Sequence, residues 1–130
     1  MNPLTLEWIE KAEDDLRAAS WLMQAPKVTF DAVGFHTQQC AEKYIKAVLH
    51  DRTIAFPKTH DLLNLLDLLR SPAPEIELLR GRAKFLSDLA VESRYPGSWS
   101  NEATARRALD DCAAIRAEMR CLLGLSPENL

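Results

Sequence analysis

Among the 130 residues of this chain, side chains able to hold phosphate, move a proton or ligate a metal gather in three stretches. The first is Phe35-His36-Thr37-Gln38-Gln39-Cys40-Ala41-Glu42-Lys43-Tyr44-Ile45-Lys46-Ala47. Steps of three and four residues from His36 pass through Gln39, Lys43, Lys46 and His50, which puts all five on one stripe of a helix. Such a stripe is either a solvated face or a basic surface that meets phosphate or an acidic partner protein. On the neighbouring stripe, Gln38 and Glu42 interrupt the apolar series Phe35, Ile45 and Leu49. Buried there, they need hydrogen-bond partners on another helix, because an unpaired buried polar group costs about 1–3 kcal/mol. An interhelix network is expected of them rather than catalysis. The second stretch is the connector Phe56-Pro57-Lys58-Thr59-His60. His60 reads either as a helix N-terminal residue hydrogen-bonded locally or, with Lys58, as a companion to a phosphate site. The third is Ser93-Arg94-Tyr95-Pro96-Gly97-Ser98-Trp99-Ser100. Arg94 either fixes this loop through an ion pair or cap, or clamps a phosphate while Tyr95 stacks on a base. Packing is the plainer role for Tyr95 and Trp99.

Several chemistries are excluded. The four glycines, Gly34, Gly81, Gly97 and Gly124, are scattered, whereas dinucleotide and Walker loops need them clustered so that backbone amides can approach phosphate. His36 and Cys40 lie four apart on a helix, yet two ligands without others at a recognisable spacing do not make a metal site. No metal and no cofactor are expected. Cys112 and Cys121 are two and a half turns apart and cannot bridge within one helix.

The elements that must position these residues are helical nearly throughout. A first helix opens with Asn2 as N-cap and Pro3 at the first helical position, carries Ile9, Ala12, Leu16, Ala19 and Met23 inward, and ends near Pro26. Its acids Glu7, Glu10, Glu13, Asp14 and Asp15 read as a solvated face at the positive end of the helix dipole. A second helix is predicted from about Asp31 to Arg52. A short third one, about Thr59 to Arg70, holds too many leucines for one stripe, so it is buried on several sides or lines a subunit interface. After Pro72 and Pro74, a fourth carries Ile76, Leu79, Ala83, Leu86 and Ala90, with Gly81 marking a close helix crossing and Arg80, Arg82 and Lys84 solvated. The last, capped by Ser100 or Asn101, turns Ala105, Ala108, Cys112, Ile115 and Met119 inward and stops at Gly124. These add up to an all-α, antiparallel up-and-down bundle of four to five helices, one domain over residues 1–130 with its core at about 4–123.

The formal charge of −3, from 16 basic and 19 acidic residues, excludes a binder that coats nucleic acid by bulk positive potential; any contact must be a local patch. An odd set of three cysteines and a start without the basic end and apolar run of a signal peptide lead to a cytoplasmic expectation. No apolar run is long enough to span a membrane.

The Phe35–Ala47 run, followed by Phe56-Pro57-Lys58-Thr59-His60-Asp61-Leu62 and then by Arg94-Tyr95-Pro96, resembles the HEPN domain family (higher eukaryotes and prokaryotes nucleotide-binding). The opening Trp8-Ile9-Glu10-Lys11-Ala12-Glu13-Asp14-Asp15-Leu16 is similar to that family's first helix, so the resemblance runs from about Trp8 to Met119. It implies an up-and-down bundle, a homodimer, and pairing with a small minimal nucleotidyltransferase in a toxin–antitoxin-like couple that binds nucleotide or RNA. Many members are metal-independent ribonucleases with an Arg, then four to six residues, then a His. Here seven residues separate Arg52 from His60, and no His follows Arg94, so no catalytic pair is carried over.

Three functions therefore stand open: a nucleotide- or RNA-binding partner of a nucleotidyltransferase, a ribonuclease with an atypical Arg/His site, and a structural adaptor that binds no nucleotide. The candidate binding residues are Arg94, Tyr95, His60, Lys58, His36, Lys43 and Lys46.

Overall fold

Helix α1, Pro3–Met23, begins where Pro3 has no amide hydrogen to lose and the Asn2 side chain accepts from the Leu4 amide at 2.8 Å. The computed structural model describes residues 1–69 and 74–128, and its remaining helices are α2 (Phe30–Asp51), α3 (Leu62–Leu69), α4 (Arg80–Glu92) and α5 (Glu102–Leu122). Among the described residues there is no strand. Helix α3 starts three residues later than predicted. Thr59 Oγ1 accepts from the Asp61 amide at 3.1 Å, and Asp61 Oδ1 from the Leu63 amide at 3.0 Å, so these side chains shape a turn and cap that compete with helix. Arg70 and Pro72 lie outside the described residues. The predicted fourth helix is divided into a 3₁₀ segment, Pro74–Leu79, and α4 itself.

Residue pairings give the up-and-down order. Thr5 meets His50 and Asp15 meets His36, so α1 and α2 are antiparallel. Asp31 accepts from the Ser100 amide and Arg120 donates to Tyr44, so α5 runs with α2, while α4 returns against α5 through Arg82 and Asp111. Helix α2 is therefore the hub, with α1, α3, α4 and α5 all packed on it. Ala41, Tyr44, Ile45, Val48 and Leu49 of α2 meet Ile9 and Ala12 of α1, the α3 leucines, Leu86 of α4, and Cys112, Ile115 and Met119 of α5 in one apolar core.

Of two expectations about packing, the first resolves to one of its alternatives, a third helix buried on several sides, and the second is corrected. Leu62, Leu65, Leu66 and Leu69 are buried within this chain and Leu63 is half-buried, so the leucine surplus is largely consumed without a second subunit. Gly81 marks no close crossing, since a Cβ placed there would meet nothing within 4 Å. The close approach is at Gly34, where a Cβ would lie 2.9 Å from Leu89 Cδ2, and it sets how near the end of α4 sits to α2.

Candidate functional site

Where the C-terminal end of α4 and the start of α3 face α2, a groove of about 300 Å³ opens, bordered by Gln38, His60, Leu63, Ser87, Val91 and Arg94. His60 and Arg94, 34 positions apart in the chain, share this groove. The Arg94 side chain is exposed and has no ion pair or hydrogen bond among the described residues. It does not fix the loop, which is held instead by backbone bonds from Arg94 N to Val91 O and Tyr95 N to Glu92 O. Tyr95 and Trp99, 64% and 84% exposed, are not packed aromatics, because the loop that carries them lies beyond the last turn of α4 and no described residue covers their rings.

His60 is held from two sides. Its ring Nδ1 is 2.9 Å from Glu42 Oε1, and its carbonyl oxygen accepts from Gln38 Nε2 at 2.9 Å. Gln38 Nε2 also donates to Glu42 Oε1 at 3.2 Å, Gln39 Nε2 donates to Gln38 Oε1 at 2.8 Å, and Lys46 Nζ donates to Glu42 Oε2 at 3.0 Å. The expected network around Gln38 and Glu42 exists, but it is closed by residues of α2 and by the connector rather than by another helix. The Leu62 amide donates to Ser87 Oγ at 3.1 Å, which ties α3 to α4 beside His60. Lys58 is exposed and does not border the groove.

The second-helix stripe is not a solvated face. His36 Nδ1 and Lys43 Nζ converge on Asp15 of α1 at 2.8 and 2.5 Å, His50 Nδ1 meets Thr5 Oγ1 at 2.8 Å, and Lys46 lies near the Trp8 and Phe56 rings. Asp15 of α1 matches His36 and Lys43, and Glu42 of α2 itself matches Lys46, so the charges of the stripe are answered inside the bundle. The same packing corrects the reading of the α1 acids. Asp15 is buried and Glu13 forms a bidentate pair with Arg116 at 2.8 and 3.0 Å, while Glu7, Glu10 and Asp14 remain exposed. Burial works to raise the Glu13 carboxyl, but Arg116 outweighs it and holds the group below the usual glutamate range. The neighbouring Tyr44 hydroxyl is pushed up to about 12 by burial, although its hydrogen bond with Arg120 works the other way.

His36 is committed to Asp15 rather than to a metal shared with Cys40. Cys40 is buried against Cys112, whose thiol hydrogen bond, together with burial, drives the Cys40 thiol well above its ordinary range. Among the described residues no group of three or more His, Cys, Asp or Glu side chains could hold a metal ion. A larger cavity of about 750 Å³ lies between α1 and α5, floored by Leu16, Leu109 and Ala113 beside the Glu13–Arg116 pair; none of the candidate residues reaches it.

An all-α bundle whose hub helix presents polar side chains to a groove at its edge is the class of protein that this fold and site define. Within that class, the sequence model of one family, described as HEPN domain, matches residues 5–122, and the chain belongs to that family. No curated protein and no solved structure matches it. Membership supports a nucleotide- or RNA-related function in general. No helix among the described residues is long and apolar enough to cross a membrane.

Proposed function

We propose that the groove between His60 and Arg94 binds a nucleotide or RNA phosphate, and that the protein acts as the non-transferase half of a toxin–antitoxin-like pair with a minimal nucleotidyltransferase. The observation that carries the binding reading is an arginine without an internal partner facing the same groove as a histidine anchored by a buried carboxylate. Arg is suited to phosphate and the exposed Tyr95 and Trp99 rings to bases, with Trp99 the residue that sequence reasoning consigned to packing. The stripe formed by His36, Lys43 and Lys46 is the weaker candidate, since acids of the chain already occupy it. Calorimetric titration with a panel of nucleotides and short RNAs tests this. Arg94→Ala should lower affinity about tenfold or more, as loss of a charged hydrogen bond worth roughly 1.5–3 kcal/mol requires. A melting temperature unmoved by every ligand would leave the adaptor reading instead.

The same pair favours a second reading, metal-independent RNA cleavage. His60 would take the 2′-hydroxyl proton as the 2′-oxygen attacks the phosphorus held by Arg94, the bond to the 5′-oxygen would break to leave a 2′,3′-cyclic phosphate, and the protonated imidazole would return its proton to that 5′-oxygen. Cleavage abolished by Arg94→Ala or His60→Ala supports it, and RNA intact after prolonged incubation with the pure protein removes it.

Pairing with itself and with the nucleotidyltransferase in the cytoplasm completes the proposal. Exposed Phe35 supports a subunit contact better than α3 does, and the acidic outer face of α1, with Glu7, Glu10 and Asp14, suits a basic partner. Sedimentation at micromolar concentration that finds only monomer would overturn the dimer. A small nucleotidyltransferase in the adjacent reading frame, copurifying with this chain, would support the couple.

A further inference from the structure

The network beneath the groove is more elaborate than stability requires. The His60 side chain is 71% exposed, and even a fully charged pair so exposed contributes only about 0–1 kcal/mol. The Glu42 side chain that holds it is only 4% exposed, and burying a carboxylate is costly unless every oxygen is matched. Both oxygens are matched, Oε2 by Lys46 Nζ and Oε1 by Gln38 Nε2 and the His60 ring. Gln38 is itself oriented, because its oxygen accepts from Gln39 and its amide group donates to the His60 carbonyl. A buried, fully bonded acid thus aims an exposed imidazole whose orientation the core does not need.

The orientation has a chemical consequence. A carboxylate only accepts, so at 2.9 Å the Nδ1 facing it must carry a proton; a lone pair there would oppose another lone pair. We propose that Glu42 is a positioning residue that holds neutral His60 in the Nδ1–H tautomer and thereby presents Nε2 to the groove as a hydrogen-bond acceptor. With Arg94 supplying donors at the other side, the groove offers one acceptor beside a phosphate clamp. The fragment that fits is a phosphate next to a hydroxyl donor, and the 2′-hydroxyl separates ribose from deoxyribose. This preference rests on the phosphate-binding reading of the groove; the tautomer does not.

Long-range proton–nitrogen spectra of the full chain, with histidine labelled by nitrogen-15 and His60 assigned through His60→Gln, test the tautomer without any ligand. The wild type should show Nδ1 as the protonated nitrogen and Nε2 as the bare one. In Glu42→Gln, Lys46 claims the amide oxygen and the amide hydrogens turn toward the ring, so the proton should move to Nε2. A wild-type ring with Nε2–H dominant overturns the proposal, and that spectrum decides even if Glu42→Gln does not fold. Tautomer populations unchanged from the wild type in a folded Glu42→Gln overturn it as well. The second arm compares a short oligoribonucleotide with its deoxyribose counterpart. The wild type should favour the ribose form, and Glu42→Gln should lose that preference while keeping its dependence on Arg94. A preference unchanged despite a moved proton overturns the assignment of ribose recognition to Nε2. If neither oligonucleotide binds a wild type with the Nδ1–H ring, the groove reading falls and the positioning role of Glu42 remains.

Discussion

Replacing Glu13 by Ala should destabilise the protein by about 3 kcal/mol, although the sequence places this residue among surface acids. Its carboxylate receives Arg116 Nη2 at 2.8 Å and Nε at 3.0 Å, and Arg120 Nη1 lies 3.8 Å away. The two arginine side chains are buried, so removing Glu13 takes a carboxylate away from both of these buried charges. Breaking a buried pair from one side costs about 3–5 kcal/mol. The low end applies because Arg116 keeps the Pro127 carbonyl, and Arg120 keeps the Ser126 carbonyl and the Tyr44 hydroxyl. Against a total of about 5–15 kcal/mol for a domain, such a loss is a large fraction. Urea unfolding followed by circular dichroism measures it, with the denaturant slope unchanged so that the midpoint reports stability. The double variant Glu13→Ala/Arg116→Ala should cost less than the sum of the single changes, since the arginine charge no longer stays behind. Acid supplies a check of sign. The folded Glu13 carboxyl lies below its unfolded value, so its contribution is complete above the ordinary glutamate pKa and is lost as pH falls through the folded one. The gap between wild type and Glu13→Ala should therefore shrink in acid. A loss under about 1 kcal/mol, the worth of a surface pair, or a gap that widens in acid would refute the reasoning.

Lys43→Ala should lower stability by about 1 kcal/mol through loss of the Asp15 pair and leave nucleotide affinity unchanged, the opposite of Arg94→Ala in the same two assays. Thr53 follows α2 with φ of +57°, and the Ile54 and Thr53 amides donate to Leu49 and His50 carbonyls in a Schellman arrangement that favours glycine. The left-handed conformation costs a side-chain-bearing residue about 1–2 kcal/mol and glycine's added chain entropy returns part of that, so Thr53→Gly should raise stability by about 0.5 kcal/mol in thermal unfolding. Asn101→Ala should cost about 1 kcal/mol by chemical denaturation, because the Asn101 side chain accepts from the Thr104 amide at 2.9 Å and caps α5.

Helical periodicity located all five helices of the described residues, and the caps at Asn2 and at Ser100 or Asn101 were legible because capping is a local matter between neighbouring residues, the structure deciding for Asn101. The start of α3 was misplaced for an equally local reason, since Thr59 and Asp61 can bond the backbone either in a turn or in a helix. Arg94, Tyr95 and His60 could be singled out as residue types in the right company. That His60 answers to Glu42, 18 positions away and on the helix before, had no sequence signal beyond a polar interruption in an apolar stripe.

Sequence alone determined the helical class, the family resemblance and the absence of any glycine-rich phosphate loop, because these depend on residue order within a turn or two of helix. It also bounded the charge, leaving a local patch as the only route to phosphate. Which patch was a tertiary decision. Helix α1 packs along α2 and brings Asp15 onto His36 and Lys43, so the most conspicuous basic stripe is matched from within. The approach of α4 at Gly34 and the turn into α3 bring Arg94 and His60 to one groove from positions that no periodic pattern connects. A side chain's charge is written in the chain, but whether a counter-charge already occupies it depends on which helices become neighbours.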